Sequence, residues 1–258
     1  MQTDTTLALL RYPYTHLEPL RAADPWPSEC GCLVVWRLED AAAQQADMAY
    51  VLTRPAFLPL AVVLPPADEI EPAVPLIEEL PSLRPRIVLP TRRLVTPDRL
   101  RYLLAQIPPN VPRSLVDHLR FRSLLPTLRV REEVTRIIEL SPTTRSISAL
   151  SRRMYTSRRT LGRVFSGAGL PAPSHWLQFG RLMHVVVQIQ NSDRIPINRI
   201  AMRAAYPDGF TMSNQMKRLL GVRPSDVRER LGWEWVVESW IRSEMQRGGI
   251  DAGRYRLN

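Results

Sequence analysis

The feature that most constrains this chain is a pair of short helices joined by a tight turn, which its second half contains twice. The spacing of apolar residues predicts helices over 147–154 and 158–166. The same pattern predicts helices over 197–204 and 211–220, roughly 50 residues further along. Two short-helix pairs of this kind indicate a double helix-turn-helix inside an all-α domain.

The positive charge lies in the same half of the chain. Residues 1–125 carry 13 Arg and 14 acidic residues, a net charge of −1. Residues 126–258 carry 21 Arg and Lys217 against 11 acidic residues, a net charge of +11. The prolines are distributed the other way, with 17 in the first part and 7 in the second. A neutral, proline-rich half beside a basic half predicts two domains, the second of which binds a polyanion, nucleic acid first.

An ordered series of residues runs through both short-helix pairs. In the first pair, Ser157, Leu161, Arg163 and Phe165 have the spacing S-x-x-x-L-x-R-x-F. With the later positions, they resemble the double helix-turn-helix DNA-binding domain of AraC/XylS-type transcription regulators. The later positions are Gly169, Leu170, Pro171, Trp176, Leu177, Arg181, Leu182, Ile200, Ala201, Tyr206, Asp208, Ser213, Lys217, Gly221, Pro224 and Arg228.

The second pair departs from the family pattern at four positions. Ala205 stands where the family usually has glycine, and Met212 and Met216 replace two phenylalanines. Asn214 stands where arginine is frequent. The methionines conserve side-chain volume, and Asn214 bears on which base is read rather than on whether DNA is bound.

The resemblance implies that the second helix of each unit enters the major groove, where its first turns reach base edges. Arginine suits guanine, asparagine or glutamine suits adenine, and Phe or a Thr methyl suits thymine. The candidates for base contacts are Arg159, Thr160, Gly162, Arg163, Phe210, Thr211, Asn214 and Gln215. The candidates for phosphate contacts, which position the protein without specifying sequence, are Ser157, Arg158, Arg181, Lys217, Arg218 and Arg223.

The first half predicts a small α/β domain. Continuous apolar runs predict four strands buried on both faces, alternating with helices, and hence a parallel sheet. The strands are expected at 7–11, 32–38, 60–64 and 86–89, and the helices at 39–52, 68–80 and 97–106. This pattern is similar to a degenerate receiver domain, where family members often carry a cupin-like barrel. Asp68 follows two prolines after the third strand, which argues against phosphorylation.

The expected organisation has four parts. An α/β regulatory or dimerisation domain spans 1–107, a proline-rich linker 108–126 and the double helix-turn-helix 127–232. The last part, 233–258, is expected to be a tryptophan-containing helix and a flexible tail. Trp233 and Trp240 are seven residues apart and therefore predicted to share a helical face, packed on their own domain or, alternatively, on a partner.

Other functions have little support in the sequence. No nucleophile elbow, phosphate loop or dinucleotide motif appears, so we expect no enzyme activity, no cofactor and no metal. The four histidines show no metal-ligand spacing. Cys30 and Cys32 indicate either a buried strand thiol beside a chance neighbour or a redox or soft-metal sensor. With no membrane-length apolar run and no secretory signal, we expect a cytoplasmic, nucleoid-associated protein.

The pattern as a whole favours a bacterial-type, sequence-specific transcription regulator. Double-stranded DNA is its expected partner, and RNA polymerase, a second copy of the chain and an unidentified small-molecule effector are further candidates. Two alternatives stay open. One is an architectural DNA-binding protein with little sequence specificity, and the other is a ligand-sensing first domain with DNA binding as its output.

Overall fold

A computed structural model of the chain describes residues 6–90, 95–192 and 195–251. The chain divides into two compact units. Unit 1 contains the residues up to Ala105 and, from much later in the chain, the segment Glu229–Trp235. Unit 2 contains Gln106–Arg228 and the described residues from Val236 onward. The chain therefore leaves unit 2 after the second helix-turn-helix, contributes a short segment to unit 1, and returns.

Unit 1 is built on a five-stranded mixed sheet with the order β2-β1-β3-β4-β5. Its strands are β1 (Leu7–Leu10), β2 (Leu17–Pro19), β3 (Leu33–Arg37), β4 (Leu60–Leu64) and β5 (Ile87–Pro90). Strand β1 pairs antiparallel with β2 and β3, whereas β3, β4 and β5 are parallel. The prediction of parallel strands is confirmed for these last three and is wrong for the first.

The reason lies in the connections of β1. A parallel pair needs a long crossover, usually a helix, whereas antiparallel strands can be joined by a short turn. Only a short turn separates β1 from β2, and the stretch between β2 and β3 is irregular, with Pro25 and Pro27 in it. Without a crossover helix, β3 lies antiparallel to β1. This topology departs from the all-parallel sheet of the receiver-like assignment, which is not confirmed.

Three helices cover the sheet, α1 (Gln45–Leu52), α2 (Val74–Leu83) and α3 (Pro97–Ala105). Side chains on one sheet face, such as Trp36 and Val62, pack with Val51, Leu76 and Leu80 of α1 and α2. On the other face, residues such as Val35 and Val63 pack with Leu100 and Leu104 of α3, and Leu231 completes this cluster. Both faces are buried, as the continuous apolar runs predicted.

Two of these helices begin later than predicted. Helix α1 starts at Gln45 rather than at residue 39, since a turn precedes it. Helix α2 follows a 3₁₀ turn, Glu71–Ala73, and both elements have proline in their first turn. Pro72 and Pro75 therefore begin helical segments, where the missing N–H leaves no hydrogen bond unmade.

The regular elements in the described residues of unit 2 are all helices. Its helices are α4 (Val111–Phe121), α5 (Leu128–Leu140), α6 (Ile147–Arg153), α7 (Arg158–Gly167), α8 (Pro173–Asn191), α9 (Ile197–Arg203), α10 (Gly209–Leu220) and α11 (Pro224–Glu229), together with most of α12 (Glu234–Gln246). The range predicted as a linker, 108–126, contains α4, which packs against α5. Asn110 caps α4, and Leu115 and Leu119 bury its apolar side.

The core of unit 2 is formed around α8. Trp240 of α12 stacks on Phe179, with ring centroids 4.0 Å apart, and meets Trp176 edge-on at 4.7 Å. Because Trp240 is fully buried, its predicted packing within its own domain is confirmed and its alternative role at a partner interface is wrong. Trp233 precedes α12 and lies against Arg86 in unit 1, so the predicted common helical face with Trp240 is also wrong.

Candidate nucleic-acid interface

The first helix-turn-helix consists of α6 and α7, and a side chain caps each helix. Ser146 and Ser157 accept hydrogen bonds from the backbone N–H groups of Ala149 and Thr160. Such caps satisfy N–H groups that have no partner inside the helix. The turn between the helices passes through Tyr155 in the left-handed region, at φ 52°. These local features fix where α7 begins.

Helix α7 buries one side and presents the other to solvent. Leu161 and Phe165 are fully buried and anchor the helix against the unit. Its first two turns carry three exposed arginines, Arg158, Arg159 and Arg163. None of the acidic residues in the described ranges forms an ion pair with them. This side of α7 is therefore strongly basic and available to a partner.

Gly162 lies between Arg159 and Arg163 on that basic side. A Cβ atom placed on Gly162 would have no heavy atom within 4 Å. Packing inside the protein therefore does not require a glycine at this position. No side chain therefore projects from the helix surface between the two arginines.

The second helix-turn-helix consists of α9 and α10. Asp208 caps α10, with its carboxylate accepting from the backbone N–H of Thr211 at 2.6 Å and from the Thr211 hydroxyl at 3.1 Å. These hydrogen bonds lower the pKa of Asp208 below its usual value. The backbone N–H of Gly209 donates to the side chain of Asn198 at 2.8 Å, which ties the start of α10 to α9. The turn passes through Ala205 at φ 60°.

Helix α10 presents a different set of side chains to solvent. Met212 and Met216 are fully buried and fill the core positions that the family gives to phenylalanine. Phe210 is 78% exposed, and Thr211 and Asn214 are also exposed. Gln215 is partly buried and donates to the side-chain oxygen of Gln178 in α8 at 2.9 Å. Gln215 is thus held against its own unit, unlike its neighbour Asn214.

The phosphate candidates fall into two groups by accessibility. Ser157, Arg158, Lys217, Arg218 and Arg223 are exposed. Arg181 is partly buried, with its guanidinium 5.1 Å from the centre of the Tyr206 ring. Burial also raises the pKa of Tyr206 to about 12, so this tyrosine stays neutral beside the cation. Arg181 therefore has a cation–π contact inside the unit in addition to any contact with DNA.

An open groove of about 520 Å³ lies beside the start of α7. Its lining includes the candidates Ser157 and Arg158 together with Ser148, Arg152 and Tyr155, which sequence reasoning missed. Tyr155 is 93% exposed. The sequence offered a signal for two of them. Arg152 is a cation at the end of a predicted helix, and Tyr155 is an aromatic residue in the turn that follows. The groove extends the basic surface of α7 onto α6.

Residues 150–230 match a family model described as a helix-turn-helix domain. The match supports an AraC-type DNA-binding domain at these residues, which are less than half of the chain and run from α6 to the end of α11. It indicates a DNA-binding transcription regulator. No curated protein and no solved structure matches the chain. None of the described helices is long and apolar enough to cross a membrane.

The remaining candidate groups include the two cysteines, His184 and Asp68. Cys32 is buried before β3, where burial raises its thiol pKa to about 11, and Cys30 is partly buried. Neither cysteine forms a disulfide. In the described part of the chain, no cluster of His, Cys, Asp or Glu has the geometry to hold a metal. His184 bonds the Ile138 carbonyl, and burial lowers its pKa. Asp68 is exposed in the loop after β4.

Proposed function

We propose that the chain is a sequence-specific transcription regulator that reads duplex DNA by inserting α7 and α10 into successive stretches of the major groove. The observation that carries the proposal is the repetition of one arrangement. Each recognition helix is capped at its start, buried along one side and exposed along the other. The exposed first turns hold the residue types that read base edges.

The two helices divide the contacts in this proposal. Arg159 and Arg163 are four residues apart on α7 and each can form a bidentate contact with guanine. On α10, Phe210, Thr211 and Asn214 contact thymine methyl groups and adenine. Gln215 ranks after these three as a base contact, because contact with DNA requires it to give up its hydrogen bond to Gln178. The exposed cations Arg158, Lys217, Arg218 and Arg223 contact phosphates.

The experiment that tests this function is selection of bound duplexes from a random library by the full chain. We expect a recurrent site with two conserved segments about one helical turn apart. Binding to that site and to random duplex is then compared at the same salt concentration, since the electrostatic part of the affinity depends steeply on salt. A specificity ratio near one would instead favour an architectural protein that recognises phosphates and DNA shape.

A further inference from the structure

Outside the helix-turn-helix units, a group of buried charges lies in unit 1. Arg54 follows α1, Arg86 directly precedes β5, and Glu234 comes from the segment Glu229–Trp235. Nη1 of Arg86 donates to Oε1 of Glu234 at 2.6 Å. The two side chains are only 13% and 8% exposed. All three residues belong to unit 1, although Glu234 is more than a hundred positions away from the two arginines in the sequence.

A helix end anchors each arginine. Nη2 of Arg54 donates to the carbonyl of Leu83, the last residue of α2, at 3.0 Å. Nη2 of Arg86 donates to the carbonyl of Leu104, near the end of α3, at 3.1 Å. The last carbonyls of a helix lack partners within it and favour a nearby cation. These bonds hold each guanidinium at the end of a helix, and a second nitrogen of Arg86 binds Glu234.

The hydrogen bonds of Arg54 and Glu234 are incomplete. Within the described residues, Nε and Nη1 of Arg54 and Oε2 of Glu234 have no hydrogen-bond partner and no contact with solvent. The Glu234 carboxylate bonds Arg86 and leaves two nitrogens of Arg54 without an acceptor. Burial lowers the pKa of Arg54 to about 10, an effect that the charge of Glu234 opposes. Leaving buried charged donors unmatched is costly, so the pair is suited to a better-matched anion.

We propose that Arg54 and Arg86 form a binding site for a small oxyanion, the carboxylate or phosphate group of a metabolite, which takes the place held here by the Glu234 carboxylate. A guanidinium matches both groups with two parallel hydrogen bonds. Such a ligand is not tethered to the chain, so its oxygens can reach the nitrogens of Arg54 that Glu234 leaves without an acceptor. Glu234 is thus an internal competitor for the site.

The segment that carries Glu234 has a second attachment that survives its displacement. The backbone N–H of Leu231 donates to the Tyr14 hydroxyl at 2.8 Å, and Leu231 is buried in the core of unit 1. Gly232 lies at φ 87° and its Cβ position would be 3.3 Å from Oε2 of Glu234. The ligand therefore releases the Glu234 side chain while Leu231 stays in place.

The test measures thermal unfolding of the full chain with inorganic phosphate or acetate, each compared with chloride at matched ionic strength. We expect at least one of the two anions to raise the midpoint in a saturable way, since ligands that bind only the folded state stabilise it. Arg54→Met should remove the saturable part. Glu234→Gln should tighten binding about tenfold, the effect of removing one charged competitor. Arg21→Gln, an exposed arginine of unit 1, is the matched control and should respond like the unchanged protein.

Phosphate also stabilises proteins without binding, because it is excluded from their surfaces. The quantity to compare is therefore the shift in unfolding midpoint of the unchanged protein minus the shift of Arg54→Met. If that variant does not fold, Arg54→Lys replaces it, since lysine keeps the charge but cannot form two parallel bonds. A response to phosphate alone assigns a phosphoryl ligand and a response to acetate alone a carboxylate. No saturable response in Glu234→Gln, or an equal response in the Arg54 variant, overturns the proposal. The readout does not involve DNA.

Amide hydrogen exchange supplies a second, independent check. With bound anion, exchange at Glu234, the first residue of α12, should accelerate while exchange at Leu231 stays slow. Unchanged exchange at Glu234 under saturating anion contradicts the displacement of its side chain.

Discussion

The turns of the two helix-turn-helix units follow the same backbone path. Tyr155 in the first turn and Ala205 in the second are both left-handed, at φ 52° and 60°. In both turns the following N–H returns to a carbonyl inside the first helix, from Thr156 to Ser151 at 3.1 Å and from Tyr206 to Ala201 at 3.0 Å. A left-handed turn is therefore common to both units, although neither contains glycine at that position.

The surfaces that the two turns position are different. Helix α7 presents Arg158, Arg159 and Arg163, whereas the exposed residues in the first two turns of α10 are uncharged. The caps also differ in charge, with neutral Ser157 on α7 and ionised Asp208 on α10. In the proposed complex, the first helix-turn-helix would therefore supply the arginines that recognise guanine, and the second would rely on apolar and amide contacts.

The largest expected effect concerns the arginines of α7. Arg159→Ala and Arg163→Ala should each cost about 1–3 kcal/mol of binding to the selected site and less on random duplex, because a bidentate guanine contact is lost. Fluorescence anisotropy on both DNAs at one salt concentration measures this. Asn214→Ala on α10 is the comparison and should affect an adenine position instead. Equal losses on both duplexes would make the α7 arginines phosphate contacts.

The equivalence of the turns can be tested through their left-handed residues. A left-handed conformation costs a non-glycine residue roughly 1–2 kcal/mol, which the flexibility of glycine in the unfolded chain offsets in part. Ala205→Gly should therefore increase the free energy of unfolding by less than about 1 kcal/mol. Tyr155→Gly should produce a similar gain, since Tyr155 is almost fully exposed.

Urea unfolding measures both changes. Ala201→Gly is the matched control, because Ala201 lies inside α9 and is fully buried. Glycine should destabilise the protein there through lost packing and helix propensity. A loss of stability in Ala205→Gly would show that the second turn is not strained and would break its equivalence with the first.

The helix-turn-helix units were predicted well because their signals are local. A cap and an apolar stripe within a few residues specify α7, predicted at 158–166 and found at Arg158–Gly167. The contacts of unit 1 with residues 229–235 were not predictable in this way. The bond from Leu231 to Tyr14 and the ion pair from Glu234 to Arg86 join distant parts of the chain, and no periodic pattern encodes them.

Side-chain contacts between different helices limited the prediction of the interface in the same way. Exposure of Arg159, Arg163 and Asn214 followed from the helical periodicity alone. That Gln215 is bonded to Gln178 and Arg181 lies over the Tyr206 ring depends on how α8 packs against α10 and α9. Side chains in such contacts cannot be ranked as DNA ligands from their own helix.

A smaller effect is expected from Lys217, near the end of α10. Lys217→Ala should weaken binding to the selected site and to random duplex alike, and should reduce the salt slope by about one unit, because a phosphate contact releases one counterion. Affinity measured over a range of salt concentrations gives the slope. Arg242→Ala on α12, which removes an exposed cation outside the two helix-turn-helix pairs, should leave the slope unchanged. The same slope in both variants would remove Lys217 from the interface.

The smallest effect separates the two caps by pH. Because the folded-state pKa of Asp208 is lowered, its stabilising contribution is present above the ordinary carboxyl value of 3.8 and is lost as pH falls through the folded value. The difference in thermal midpoint between the unchanged protein and Asp208→Ala should therefore shrink on acidification. The corresponding difference for Ser157→Ala should stay constant with pH, since a hydroxyl cap does not titrate. If the midpoint differences of both variants changed with pH in the same way, ionised Asp208 would contribute no more to its helix than neutral Ser157 does. The charge difference between the caps would then have no consequence for folding.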